Sequence, residues 1–151
     1  LHYHAITTVY LRYAQAVKLP APLTGFADGT AQWVLHRGTL GLPDNEVAVV
    51  ISVSDCTEAW KDKDLAEKVH ADIKRVCPDL DKPEAVRIIT EKRATTAATV
   101  DFIQPDFSWL HHRRIYPAGD YLHPRYPATL EAAVQSGFAA AEKLMLDLRV
   151  E

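Results

Sequence analysis

A glycine and an aspartate stand side by side shortly before a long helical pattern near the end of the chain. Gly119 has no Cβ and lets a ligand approach the backbone, and the Asp120 carboxylate can accept hydrogen bonds from sugar-like hydroxyls. The first amides of the helix, which is predicted to begin near Ala128, carry a partial positive charge that suits a carbonyl group or an anionic ring. Such a turn is also common as a purely structural device, so both interpretations stay open.

The histidines give no metal-site pattern. His2 and His4 alternate along a predicted strand, but two imidazoles without a third ligand make a poor zinc site. His123 follows Asp120 and is a candidate site residue. No HExxH or similar spacing occurs among the remaining histidines, which are His36, His70, His111 and His112. We therefore expect no metal.

Two other kinds of chemistry are weighed against their sequence requirements. Ser52, Ser54 and Asp55 end an apolar run, but a serine hydrolase of the elbow type needs G-x-S-x-G, which is absent from the sequence. The three tryptophans could line an apolar substrate tunnel, although aromatic residues in this number are more often core. These are Trp33, Trp60 and Trp109.

Composition and charge describe an ordinary water-soluble domain. The 151 residues carry a net charge of -3 with 25% charged residues, which argues against a nucleic-acid partner because phosphate binding needs a cationic excess. The basic run 111–114 is interpreted as a solvated loop. Cys56 and Cys77 match no disulfide or zinc spacing and indicate reduced thiols and a cytoplasmic location. Without a membrane-spanning run, any contact with the inner membrane would be peripheral.

The elements that must position the Gly-Asp turn begin with several strands. Alternation over residues 5–13 predicts a strand with one better-buried face, and Asp28-Gly29 predicts the turn of a β-hairpin ending in Trp33, Val34 and Leu35. The run 46–55 is apolar at nearly every position and predicts a central strand covered on both faces. Short connections favour an antiparallel meander.

Two helical stripes complete the pattern. Residues 61–76 predict a helix that ends before Pro78, and its stripe consists of Leu65, Val69, Ile73 and Val76. Residues 85–99 predict a further strand, 101–112 a loop and 113–119 a short strand. The last helix carries a stripe for about five turns, formed by Leu130, Val134, Phe138, Ala141, Met145 and Leu148. The expected fold class is α/β, or α+β-like, with an antiparallel or mixed sheet, one packed helix and a long C-terminal helix.

The sequence "AGDYLHPRYPATLEAAVQSGFAAAE" resembles the C-terminal flavin motif of the FAD-dependent amine oxidase and phytoene desaturase superfamily. In that motif a Gly-Asp turn precedes a helix reading roughly Glu-Gly-Ala-Val-x-Ser-Gly. The matching residues here are Glu131, Ala132, Ala133, Val134, Ser136 and Gly137, with Ala132 in place of the usual glycine. Upstream, "ITTVYLRY", "GTAQWVLHRG", "VAVVISVSD" and "EKRATTAAT" resemble the squalene-associated desaturases, the hydroxysqualene dehydroxylase group, although His36 replaces an acidic residue of their tryptophan motif.

The resemblance implies roles for the residues of the turn and the helix start. Asp120 would hydrogen-bond the ribityl chain of FAD, and Gly119 would give it room. The amides of Thr129 and Leu130 would face the pyrimidine edge of the flavin ring. The corner of the ring would be lined by Tyr126, Pro127 and Ala128. In such enzymes the flavin takes or delivers the hydride, so no side-chain acid or base is required.

The half of the site that would hold the ADP moiety is not found in this sequence. Flavoproteins of this kind carry G-x-G-x-x-G on a βαβ unit, and none of the six glycines forms that motif. With Leu1 inside an apolar run and Met145 as the sole methionine, we expect a fragment that lacks the Rossmann unit and is inactive alone. Residues 1–110 would be a substrate-domain portion and 111–151 the flavin-contacting segment.

Two functions from different classes follow. The first is the C-terminal part of an FAD-dependent oxidoreductase acting on an apolar polyprenoid such as squalene, hydroxysqualene or a carotenoid precursor. An amine oxidase is the alternative within that class, for which Tyr126 is the single candidate for an aromatic cage. The second function is a non-catalytic α+β binding domain, which would be stable without flavin. Surfaces left uncovered in a fragment would favour a homodimer.

Overall fold

The computed structural model describes residues 2–54, 60, 62–97, 99–100, 103, 106–123 and 125–149. The chain forms two compact units, one over residues 2–95 and one over residues 96–151. We call them the sheet unit and the C-terminal unit. The functional division between residues 110 and 111 stays a prediction.

The sheet unit is a five-stranded sheet in the order β2-β3-β4-β1-β5. Its strands are β1 (Tyr3–Arg12), β2 (Leu23–Gly25), β3 (Trp33–His36), β4 (Glu46–Ser52) and β5 (Ala85–Thr96). The pairs β2–β3, β3–β4 and β4–β1 are antiparallel. The predicted meander therefore exists over β2, β3 and β4, and β1 pairs with the free edge of β4.

The helix α1 (Asp62–Lys74) covers one face of this sheet. Its predicted stripe is confirmed at Leu65, Val69 and Ile73, which pack on Val9, Val34, Val49 and their neighbours. The helix ends two residues earlier than expected, so Val76 is exposed and Cys77 occupies the core instead.

The predicted coverage of β4 on both faces is wrong. Val47, Val49 and Ile51 are buried on the α1 side, while the alternate residues are only half-buried. Strand β1 alternates in the same way, as predicted for residues 5–13. We call the side away from α1 the open face. Within the described part of the sheet unit no α-helix lies on it, so continuous apolarity indicated a central strand but not two packed layers.

The predicted hairpin turn is present and tied to α1. Gly29 has a φ of 102°, in the region that glycine adopts without a Cβ clash. The amides of Thr30 and Ala31 donate to Oδ2 of Asp72 at 2.6 and 2.8 Å. Arg75, three residues further along the chain, pairs with Asp28 at 2.8 Å. The helix thus fixes the turn through side chains that the hydrophobic pattern does not reveal.

The C-terminal unit contains α2 (Ser108–His111), a 3₁₀ turn (Asp120–Leu122) and α3 (Leu130–Arg149). The short strand predicted over 113–119 is wrong. Arg114 adopts a φ of 58° and closes α2, with its amide on the His111 carbonyl and the Ile115 amide on the Leu110 carbonyl. Residues 115–118 then run as irregular backbone that includes Pro117. The predicted loop 101–112 contains α2, and part of it lies outside the described residues.

Candidate functional site

The Gly-Asp turn is fixed to α3 by one serine. The Gly119 amide donates to Ser136 Oγ at 2.8 Å, and this hydroxyl donates in turn to the Ala133 carbonyl at 3.0 Å. The Leu122 amide closes the 3₁₀ turn on the Gly119 carbonyl at 3.1 Å. Ser136 belongs to the matched motif, but its role as the anchor of the turn was missed. This role is visible only in the structure, where α3 lies within hydrogen-bond distance of residue 119.

Glycine at position 119 makes room for an aromatic ring. The backbone there is extended, so its dihedral angles do not require glycine. A Cβ, however, would lie 2.5 Å from Cε1 of Tyr121, well inside contact distance. The Tyr121 ring is itself held edge-to-face against Phe107, with 6.3 Å between centroids. Packing within the chain is thus one sufficient reason for Gly119.

The Asp120 carboxylate is available to a ligand. It is half-buried and accepts no hydrogen bond from any of the described residues. Since no unpartnered side-chain oxygen of the described residues is fully buried, its oxygens are open to solvent or to a ligand. It therefore has the acceptor capacity that a polyhydroxylated chain requires.

The start of α3 presents unpaired amides beside this turn. Thr129 Oγ1 donates to the Tyr126 carbonyl at 2.9 Å and accepts the Ala132 amide at 3.1 Å, which is an N-cap. The amides of Thr129 and Leu130 find no acceptor in the described part of the chain. Both residues are exposed, as are Pro127 and Ala128. The helix dipole favours electronegative atoms at this end.

A small network organises the loop between the turn and the helix. His123 stacks on Tyr126 with 4.0 Å between ring centroids. Gln135 Oε1 lies 2.9 Å from His123 Nε2 and accepts the Tyr126 hydroxyl at 3.3 Å. The amides of Arg125 and Tyr126 donate to His123 Nδ1. These partners fit a neutral imidazole with its proton on Nε2. Gln135, which no sequence signal indicated, holds this loop on α3.

Further along α3 a polar group lies beside the same segment. Asp147 accepts from Lys143 at 2.7 Å and from the Tyr116 hydroxyl at 2.9 Å. These bonds, that of Lys143 first, lower the pKa of Asp147. Burial and the bond to Asp147 raise the pKa of Tyr116. A cavity of about 400 Å³ lies between residues 111–123 and α3, and its lining includes His123, Gln135 and Ser136.

The other candidate residues take structural positions. Ser54 is buried and its hydroxyl accepts from Thr7 at 2.9 Å, while Asp55 and Cys56 lie outside the described residues. His70 lies beside the buried Tyr13, with 3.1 Å between Nδ1 and the hydroxyl. Within the described ranges no group of three or more potential ligands could hold a metal ion. No described helix is long and apolar enough to cross a bilayer.

Comparison with known proteins identifies the family of this chain. The sequence model of the flavin-containing amine oxidoreductase family matches residues 1–145, so the chain belongs to that family. Hydroxysqualene dehydroxylase of Zymomonas mobilis is 29% identical over 150 residues, covering 93% of this chain and 32% of that protein. Hydroxysqualene dehydroxylase of Rhodopseudomonas palustris is 31% identical over 147 residues, covering 95% and 33%. The chain thus spans about a third of the length of the curated relatives it matches.

A solved structure supports the fold. A protein assigned as a protoporphyrinogen oxidase, from an Exiguobacterium species, superposes with a TM-score of 0.61 over 93% of this chain and 35% of that one. At 19% identity this likeness concerns the fold alone. The expected α/β class, as part of a larger flavoprotein fold, and the resemblance to the amine oxidase superfamily are both confirmed.

Proposed function

We propose that this chain is the C-terminal part of an FAD-dependent oxidoreductase that acts on a polyprenoid. One observation carries the proposal. Ser136 ties the turn that carries Asp120 to the helix that begins with the amides of Thr129 and Leu130, and none of these groups has a partner among the described residues. Acceptors for hydroxyl groups and donors for a carbonyl edge are therefore built into one short unit, as a flavin requires.

The residues present fit the ribityl and ring part of the cofactor. Asp120 would accept hydrogen bonds from ribityl hydroxyls, and the amides of Thr129 and Leu130 would donate to the pyrimidine edge. Tyr126, Pro127 and Ala128 line the corner beside them. Gly119 leaves room beside the turn for the Tyr121 ring. When bound, the flavin supplies hydride transfer, while the protein orients the substrate and excludes water.

An apolar substrate is favoured by the open face of the sheet. Cross-strand registry places Ala48 between Tyr10 and Leu35, and Val50 beside Trp33, on the side that α1 does not cover. None of these side chains is buried. Cross-strand neighbours on one face form a continuous surface, here an apolar one suited to a hydrocarbon chain. Tyr126, the candidate for an amine-steering cage, already stacks on His123.

The longer protein that contains this chain provides the test. We expect it to purify with the visible absorbance bands of oxidised flavin, and Asp120→Ala to lower its FAD occupancy severalfold. Glu142→Ala, at an exposed position of α3 without a hydrogen-bond partner among the described residues, is the matched control. Absence of flavin from the unsubstituted protein would contradict the proposal and favour a non-catalytic binding domain. Turnover of an amine but not of hydroxysqualene would support the amine oxidase alternative instead.

A further inference from the structure

A cavity of about 530 Å³ lies at the charged end of the open face. Its lining includes three arginines and one carboxylate, namely Arg12, Arg37, Arg87 and Glu46. The register pairs Arg12 with Glu46 directly across β1 and β4. Arg87 joins them from β5, because its neighbour Ile88 packs on the core side. Side chains from three strands and the end of β3 therefore converge here.

The three guanidinium groups do not have equal partners. Arg37 Nη1 pairs with Glu46, and its Cζ lies 5.4 Å from the centre of the Tyr10 ring, so this group is held in place. Arg12 and Arg87 have no acceptor for their side chains among the described residues. Three cations thus face one anion, in a chain whose net charge is -3. The local excess of positive charge favours an anionic ligand.

We propose that this cavity binds a phosphate or diphosphate group. Guanidinium groups pair with phosphate oxygens through two parallel N–H bonds, and a fixed Arg37 keeps most of its five donors for this purpose. Val86 and Ile89, both exposed, line the same cavity, so the ligand can carry an apolar chain beside its anionic head. The site lies on the sheet unit and does not depend on whether the chain contacts flavin.

Binding of pyrophosphate to the folded chain is the direct test, measured by isothermal titration calorimetry at constant ionic strength. We expect saturable binding that weakens about tenfold in Arg12→Gln and again in Arg87→Gln, since each change removes a charge-assisted contact. Arg125→Gln, an exposed arginine of the C-terminal unit, is the matched control and should bind normally. Binding that is absent, or equal in all variants, would overturn the proposal. Because Arg12 and Arg87 are exposed, their replacement should leave the circular dichroism spectrum unchanged, which checks folding.

A second arm separates a free ligand from a lipid headgroup. Vesicles of phosphatidylcholine with and without phosphatidic acid are sedimented with the chain. Retention that requires phosphatidic acid and is lost in Arg12→Gln would assign the site to lipid phosphate. Pyrophosphate binding without retention on vesicles would assign it to a free phosphate or diphosphate.

Discussion

At the scale of single residues, the site depends on groups that hold other groups. Ser136 accepts the amide of Gly119, and Gln135 holds His123 and Tyr126. In the proposed flavin site neither side chain contacts the ribityl hydroxyls or the edge of the ring. Both instead position the turn that carries Asp120 and the loop that leads into α3. Ala132, which replaces the usual glycine of the motif, is fully buried, so its methyl group is accommodated.

Replacement of Ser136 by alanine tests the anchor. Helix propensity alone would make Ser136→Ala slightly stabilising, whereas loss of the acceptor for the Gly119 amide should cost about 1 kcal/mol. Unfolding of this chain in denaturant gives the change in the free energy of unfolding, and its sign shows which of the two effects is larger. Glu142→Ala, on an exposed face of the same helix, should be neutral or stabilising. A stabilised Ser136→Ala variant would show that the turn does not rely on this bond.

His70 gives a pH dependence of known sign. Burial first, then the charges of Lys74 and Lys82, lower the pKa of His70 below its usual 6.5. Burial also raises the pKa of Tyr13, so its hydroxyl donates to the neutral imidazole. The unfolded chain therefore binds the proton first as the pH falls, and stability present above pH 6.5 is lost towards the lower folded pKa.

We expect the melting temperature to fall between about pH 7 and pH 5, and to fall less in His70→Gln. The glutamine can still accept from Tyr13 but does not titrate. His112→Gln, at an exposed position, serves as the control and should keep the original slope. Equal slopes in all three proteins would show that His70 does not carry this dependence.

At the scale of elements, connections determine how the site is presented. Helix α3 begins at Leu130, and the turn before it places Ala128 at a φ of 61°. A left-handed conformation costs an L-residue with a Cβ about 1 to 2 kcal/mol. This conformation directs the chain from Tyr126 and Pro127 into the helix start. Strain thus lies within the corner proposed for the flavin ring.

Replacement of Ala128 by glycine should relieve the strain at this corner. We expect Ala128→Gly to raise stability by about 1 kcal/mol, because glycine adopts a positive φ without penalty. The same change at Ala141, exposed inside α3, should lower stability by about 1 kcal/mol. Thermal unfolding of both variants gives the comparison. Destabilisation by Ala128→Gly equal to that at Ala141 would mean that residue 128 is not strained.

At the scale of the whole molecule, α3 has an uncovered apolar stripe. The face of α3 that carries small residues such as Ser136 and Ala139 lies beside residues 111–123. The predicted apolar stripe is exposed instead, with Leu130 at 89% and Phe138 at 68% of their full accessible surface. A Cβ added at Gly137 would meet no atom of the described residues within 4 Å. An exposed apolar stripe is typical of a surface that contacts other protein. We propose that it packs against the rest of the longer flavoprotein, and that the isolated chain pairs through it.

The variant Phe138→Gln tests the stripe both in the isolated chain and in the longer protein. We expect the isolated chain to self-associate in sedimentation velocity, and the substitution to shift it towards monomer. In the longer protein the same change should cost about 3 kcal/mol of stability, as for a buried aromatic residue. Glu142→Gln, on the same helix, should change neither result. A longer protein unaffected by Phe138→Gln would show that the stripe has no partner there.

The sequence by itself determined most of the elements and the family. Alternation in β1, the Asp28-Gly29 turn and the α1 stripe are local patterns that fix secondary structure. The residues after Gly119 resemble a family motif, and this resemblance implied the type of cofactor. Which partner each element would find could not be inferred in the same way. The run over β4 was predicted to be covered on both faces because it is apolar at nearly every position. An apolar sequence does not show how many layers pack against a strand.

Only the tertiary structure decided how those parts act together. It showed that Ser136 holds the Gly-Asp turn, that Tyr121 occupies the space beside Gly119, and that Asp120 has no partner among the described residues. It also brought Arg12 and Arg87 from separate strands to one cavity. The bond between Ser136 and Gly119, and the meeting of Arg12 and Arg87, involve residues that are far apart in the chain. Their existence depends on strand order and on the packing of helices, which no local spacing encodes.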